Sequence, residues 1–238
     1  IRAEQSRGKR PMSEQNPDSL HPRLKAPYDR HALEALMARH GSPLVMVDCD
    51  VIRDQYRALS DALPGVDLHY ALKPLPERCV VETLKEMGGY FDLATNGEVD
   101  LVRRCGVDPR RCIHTHPIKR DSDIREAIRF GVRTFVVDNP DELGKFVRHR
   151  QRTEILLRVA FRNSAAAADL SRKFGCDPES VPALLDLARR LGVKVVGLSF
   201  HVGSQTPTSD MHVRAIAECG RLVTAARNDG HGLSVLDI

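Results

Sequence analysis

The group in this chain with the most chemistry to offer is a lysine. Lys73 closes the run His69-Tyr70-Ala71-Leu72-Lys73-Pro74, at the end of a short apolar strand. Burying an ammonium lowers its pKa, and only the neutral amine attacks an aldehyde, so such a position suits a Schiff-base lysine. Taken by itself, a strand-end lysine reaching out to solvent is the plainer reading. A second signal is His201-Val202-Gly203-Ser204. Gly203 lets backbone approach a ligand, the Ser204 hydroxyl with nearby N–H groups can bind a phosphate, and His201 can stack on an aromatic ring or bind a metal. A hydrogen-bonded histidine beside a turn glycine accounts for the same residues equally well.

Three further charges stand where a surface role is not obvious. Asp92 follows Phe91 on a strand, and Arg158 lies inside Leu156-Leu157-Arg158-Val159. A charge in an apolar strand calls for a partner, which for Arg158 means a carboxylate or phosphate. Glu98 falls in the first turn of a predicted helix, where the macrodipole favours acids. His114 and His116 invite a metal reading, but no third ligand stands at a telling spacing, so no metal site is expected.

The elements that must position these groups alternate. The pattern predicts a helix over 30–40, capped by Asp29 and stopped at Gly41, then a strand at 43–47. Strands follow at 67–72, 90–93, 112–115, 134–137, 154–160, 194–200 and the terminal 234–238. Helices are expected at 51–63, 77–87, 97–105, 122–130 (capped by Asp121), 141–148, 178–191 and 209–228. Short β-branched strands alternating with amphipathic helices imply a parallel sheet under helical cover. No glycine-rich phosphate loop follows the first strand, which counts against a doubly wound sheet. Counting from Asp67 gives seven strands, one short of a TIM-type (β/α)8 barrel, so an incomplete barrel is expected. Functional groups of a barrel sit at the C-terminal strand ends, which is where Lys73, Asp92, Arg158 and His201 fall.

Three regions are expected: a polar, disordered tail over 1–28, an N-terminal helix–strand extension over 29–50, and a barrel domain over 51–238. The opening Ile1 and the stop inside an apolar run suggest a fragment of a longer protein. The formal net charge is only +4 and the basic residues are dispersed, which disfavours nucleic-acid binding. No apolar run is long enough to span a membrane. Six widely spaced cysteines without a C-x-x-C pair fit reduced thiols in a cytoplasmic protein.

Taken in order, the motifs resemble the ornithine/diaminopimelate/arginine decarboxylase family, which binds pyridoxal 5'-phosphate on an alanine-racemase-like barrel. They are Tyr70-Ala71-Leu72-Lys73, Phe91-Asp92-Leu93-Ala94-Thr95 with Gly97-Glu98, and His116-Pro117-Ile118-Lys119. Leu157-Arg158-Val159, Leu170-Ser171-Arg172-Lys173-Phe174-Gly175 and Ser199-Phe200-His201-Val202-Gly203-Ser204-Gln205 complete the set. The resemblance implies that Lys73 carries the cofactor, His201 stacks on its ring and Ser204 contacts its phosphate. It makes Asp92, Glu98, Arg158 and Gly203 parts of the cofactor site, and the alanine-rich 161–169 segment a mobile loop.

The same resemblance implies a homodimer acting on a basic amino acid. Ornithine, converted to putrescine for polyamine biosynthesis, comes first; lysine, arginine or diaminopimelate are alternatives. The family's glycine-rich phosphate loop, its ring-nitrogen acid and its C-terminal β-domain have no counterpart in the given residues. The chain alone is therefore expected to be poorly active. A racemase on the same scaffold and a non-catalytic pyridoxal-phosphate-binding or antizyme-inhibitor-like protein are the rival classes.

Overall fold

The computed structural model describes residues 30–163, 171–204 and 206–238. The expected tail, the Asp29 cap, residues 164–169 of the expected loop and Gln205 lie outside the described residues. Contacts divide the chain into two units, 1–55 and 56–238.

In the first unit, α1 (Arg30–His40) presents Leu33 and Leu36 half-buried and stops at Gly41, whose N–H returns to the Met37 carbonyl (2.8 Å). The strand expected at 43–47 does not form. An extended backbone has no internal hydrogen bonds and needs a neighbour, and among the described residues no strand pairs with this stretch. Apart from half-buried Leu44, its side chains are correspondingly exposed, Val45 at 87%. The next helix, α2 (Cys49–Ala62), starts earlier than expected because the Asp48 carboxylate accepts from the Asp50 N–H (2.9 Å) and the Val51 N–H (3.3 Å).

The second unit is a seven-stranded, wholly parallel sheet in the order β1-β2-β3-β4-β5-β6-β7. The strands are β1 (His69–Ala71), β2 (Tyr90–Leu93), β3 (Cys112–His114), β4 (Thr134–Val137), β5 (Glu154–Val159), β6 (Val195–Phe200) and β7 (Val235–Asp237). Between them run α3 (Arg78–Glu86), α4 (Asn96–Arg104), α5 (Asp121–Phe130), α6 (Pro140–Lys145), α7 (Val181–Leu191) and α8 (Asp210–Asn228). Sequential order with parallel pairing throughout is the topology of a TIM barrel. Here β1 and β7 do not pair with each other, so the sheet is an incomplete barrel.

Local chemistry accounts for most element ends and for two departures. Thr95 caps α4, its hydroxyl accepting from the Glu98 N–H (3.3 Å), and Asn139 caps α6 in the same way through Glu142 (2.9 Å). The expected cap Asp121 is instead the first residue of α5. The cap position is Arg120, whose backbone N–H donates to the Asp123 carboxylate (3.2 Å). The helix expected over 141–148 ends at Lys145 and continues as a 3₁₀ turn over Val147–His149.

Alternation along the strands separates two faces. Leu72, Phe91, Leu93, Phe135, Val137, Ile155, Leu157, Leu198 and Phe200 are buried on the side that meets the helices, with Phe135 packed on Phe146 after α6 (ring centres 5.1 Å). The other face carries Asp92, Arg158, Ser199 and Asp237 together with the buried apolar Val136 and Leu156. Gly197 sets the approach of β6 to β7: a Cβ there would collide with the Val235 carbonyl group, so only the absent side chain allows the strands to pair. Gly197→Ala should cost about 1–3 kcal/mol and loosen β7. Thermal unfolding and proteolysis near residue 235 check this.

Candidate functional site

Register decides which polar residues meet. Ala71, Asp92 and Ile113 are direct neighbours across β1–β3, and Arg158, Ser199 and Asp237 are direct neighbours across β5–β7. These rows lie at the C-terminal ends of the strands. Lys73 stands two residues beyond Ala71. The β1–β2 ladder extends to Leu72, whose N–H bonds the Asp92 carbonyl (3.2 Å), and a turn closes from the Leu75 N–H to the Leu72 carbonyl (3.1 Å). That leaves the Lys73 side chain exposed at the barrel mouth.

Asp92 accepts a hydrogen bond from the Thr115 hydroxyl (2.5 Å). Burial pushes its carboxyl up to about 7, helped by the charges of Asp237 and Glu98 and opposed by that hydrogen bond. Asp237 is raised likewise by burial, while the Ser199 hydroxyl donates to its carboxylate (2.6 Å). Glu98 is buried and takes the Ala94 N–H (2.6 Å), fixing the turn between Asp92 and α4.

Arg158 is half-buried, and its guanidinium lies over the Phe174 ring (5.4 Å to the centre). Burial lowers its pKa, while the negative fields of Asp138, Asp237 and Asp92 resist the change. Among the described residues no carboxylate comes within ion-pair distance of it. His201 follows β6, with its Nδ1 accepting from the Gly203 N–H (2.9 Å). Its pKa is lowered first by burial, then by the positive charges of Arg158, His212 and Lys73. Lys73, Arg158, Asp237 and His201 thus share one electrostatic neighbourhood. Ser204 is exposed just beyond Gly203. Buried Asn163 ties this turn to the end of β5, donating to the Val202 carbonyl (2.7 Å) and the Thr206 hydroxyl (3.3 Å).

The histidine pair diverges. His114 is buried against Phe135 (ring centres 5.8 Å) with neither ring nitrogen hydrogen-bonded, whereas His116 packs edge-on to Phe174 (5.6 Å). Among the described residues no cluster of three or more ligating side chains could hold a metal. Burial and the charges of Lys119 and His116 push the His114 pKa down to about 3. Lys119, the other lysine near the mouth, is buried with its ammonium donating to the carbonyls of His116 (2.8 Å), Pro117 (2.9 Å) and Val136 (2.6 Å). All three of its protons are used by backbone, so it pins the β3–α5 loop to β4. Sequence reasoning missed Asp237, Thr115, Asp138 and Asn163. Only Asp237, a lone acid in an apolar strand, gave the kind of signal that had marked Arg158.

Residues 49–238 match the pyridoxal-binding domain of the pyridoxal-dependent decarboxylases. The chain belongs to this family. The structure superposes with a TM-score of 0.82 on a lysine/ornithine decarboxylase of Vibrio vulnificus complexed with putrescine, 49% identical, covering 87% of this chain and 55% of that one. A lysine decarboxylase of Selenomonas ruminantium gives a TM-score of 0.83 at 30% identity, covering 89% of this chain and 55% of that one. Antizyme inhibitor 2 of Xenopus laevis is 39% identical, over 79% of this chain and 41% of that protein. The chain therefore spans about half the length of these relatives.

The residues present fit the family's cofactor. A planar, anionic aldehyde needs an accessible amine, a cation not already neutralised and a ring surface beside them. Lys73 is exposed, Arg158 has no described carboxylate in ion-pair range, and His201 is held by the Gly203 hydrogen bond.

Buried His114 and half-buried Asp92 make opposing contributions to stability. His114 titrates near 6.5 when unfolded and about 3 when folded, so between those values the unfolded chain holds the extra proton and stability rises with pH. Asp92 titrates near 3.8 when unfolded and about 7 when folded, so over nearly the same window the folded chain holds the extra proton and stability falls with pH. His114→Leu should leave stability falling between about pH 4 and 7, and Asp92→Asn should leave it rising, each by on the order of 4 kcal/mol. Urea unfolding at a series of pH values reads both slopes.

Proposed function

We propose that this chain is the cofactor-binding part of an enzyme that decarboxylates a basic amino acid, with Lys73 as the covalent attachment point of pyridoxal 5'-phosphate. Residues 51–238 form the barrel domain in this reading, and 29–50 an extension toward a second domain. The observation that carries it is the contrast between two lysines at the same mouth. Lys119 has its ammonium saturated by three carbonyls, while Lys73 is exposed and its charge reaches His201.

When bound, the cofactor supplies an aldehyde and a conjugated ring that accepts the electron pair released as carbon dioxide departs. The residues around it bind and orient. His201 offers a ring face, its tautomer set because Nδ1 accepts from Gly203 and Nε2 therefore carries the proton when the imidazole is neutral. Arg158 meets negative charge on the ligand. Gly203, at φ 100°, and Ser204 form the turn that approaches the phosphate. Asp92, poised near neutrality, can hold or release a proton at its carboxyl within the same mouth. Glu98 supports Asp92 through the Ala94 turn.

L-Ornithine is the first-choice substrate, giving putrescine for polyamine biosynthesis, and lysine is the second. The likeness to a lysine/ornithine decarboxylase that binds putrescine supports both. A homodimer in the cytoplasm completes the proposal, and six widely spaced cysteines without a C-x-x-C pair fit such a reducing compartment. Among the described residues no helix is long and apolar enough to cross a membrane.

The likeness to an antizyme inhibitor supports a second reading, a regulatory protein without catalysis. The intact group of Lys73, Asp92, Arg158 and His201 favours the enzyme. The test is absorbance of the chain with pyridoxal phosphate, followed by borohydride reduction and peptide mapping. A visible band lost in Lys73→Ala, with the label on position 73, is the expected result, and label elsewhere would refute the attachment. Carbon dioxide release from ornithine or lysine, assayed on a protein of the relatives' full length, separates the enzyme from the regulatory reading.

A further inference from the structure

Arg158 is held in an unusual way for a half-buried cation among acids. Asp138, Asp237 and Asp92 all act on it electrostatically, yet none of them comes within ion-pair distance. What lies against the guanidinium is the face of Phe174. The Lys173 ammonium lies over the same ring at 5.3 Å, and His116 packs on its edge at 5.6 Å.

The backbone that carries this ring is fixed to the strand that carries the arginine. Val159 and Cys176 form a parallel bridge, in which the Cys176 N–H donates to the Arg158 carbonyl (2.9 Å) and the Ala160 N–H to the Cys176 carbonyl (2.9 Å). Between ring and bridge, the Gly175 N–H donates to the Asp138 carboxylate at the end of β4 (2.8 Å). Gly175 takes φ +95°, and a Cβ there would stand 2.8 Å from the Ala160 nitrogen, so the segment sits closer to β5 than any side chain would allow. The position of Phe174 relative to Arg158 is therefore set by two strands of the sheet.

We infer that Phe174 is a positioning residue, whose ring holds the Arg158 guanidinium at the mouth without neutralising it. A carboxylate in the same place would consume the charge and the in-plane N–H donors. An aromatic face attracts the cation through its quadrupole and leaves those donors directed outward, available to an anionic ligand. Without the ring, the long side chain is free to turn toward one of the three nearby acids and pair with it. The Lys173-Phe174-Gly175 stretch, which the proposed function leaves without a role, thereby acquires one. The inference rests on the reading of this mouth as the cofactor site.

Two measurements on the full chain test it. The first is pyridoxal phosphate titration of Phe174→Leu, Phe174→Tyr, Arg158→Met and the Phe174→Leu/Arg158→Met double variant, with far-UV circular dichroism confirming the fold. Phe174→Leu should weaken binding by about fivefold, Phe174→Tyr should restore it to within about twofold, and Phe174→Leu should add nothing once Arg158 is Met. Additive losses, or a tyrosine no better than leucine, would overturn the inference.

The second measurement needs no cofactor, so it separates this inference from the proposed function. The Arg158 Nε–Hε resonance, assigned by its disappearance in Arg158→Lys, should carry an aromatic ring-current shift. That shift should survive in Phe174→Tyr and vanish in Phe174→Leu. An Arg158 resonance indifferent to Phe174→Leu would overturn the positioning role even if Lys73 binds the cofactor. Unchanged binding in Lys73→Ala, with the ring-current shift intact, would instead remove the proposed function and leave the Phe174–Arg158 arrangement standing.

Discussion

Parallel pairing allows a strand only two sides, and the chemistry of this protein follows from how its residues divide between them. Along β5, Ile155, Leu157 and Val159 turn toward the helices and are buried, while Arg158 turns the other way. The same alternation places Asp92 between Phe91 and Leu93. Register then carries one strand's polar side chain to its neighbour's, as in the row Arg158, Ser199 and Asp237. A slip of one residue would send each of these charges into the apolar layer and expose the leucines and phenylalanines that hold the helices in place. The helix-facing core and the polar mouth are therefore one constraint seen from its two sides.

The mouth itself is an exercise in leaving charges usable. Burial raises Asp92 and Asp237 and lowers Arg158, so each is displaced toward its neutral form. Complete pairing would satisfy these groups and silence them. Hydroxyls do part of the work instead: Thr115 donates to Asp92 and Ser199 donates to Asp237, stabilising each carboxylate without supplying a countercharge. The arginine rests on an aromatic ring. The result is a half-buried set of groups held by hydroxyls and a ring rather than by countercharges.

Lys73 and Lys119 show how far tertiary surroundings can separate identical residues. Both end a motif at the C-terminal side of a strand, and both belong to the family resemblance. Lys119 is drawn into the structure because three carbonyls converge on its ammonium and Glu142 lies 3.8 Å away, which offsets the cost of burial. Lys73 emerges from a turn that points it outward. Nothing local to either sequence distinguishes a buried tether from an exposed amine.

Periodicity and breakers in the chain were enough to determine the seven barrel strands and the helices between them. A β-branched apolar run bounded by glycine or proline has few other stable uses. Asp92 and Arg158 stand out in the sequence because a charge inside an apolar strand is costly, whereas Lys73 and His201 stand out through the family motifs. The strand expected at 43–47 shows the limit of that reasoning, since an apolar extended run becomes a strand only when a neighbour supplies hydrogen bonds. Only the folded structure could decide that Asp237 and Ser199 join the same row as Arg158, that His114 turns away from His116, and that Phe174 reaches the guanidinium. Those outcomes depend on contacts between residues far apart in the chain, and local pattern carries no information about which distant strand will lie alongside.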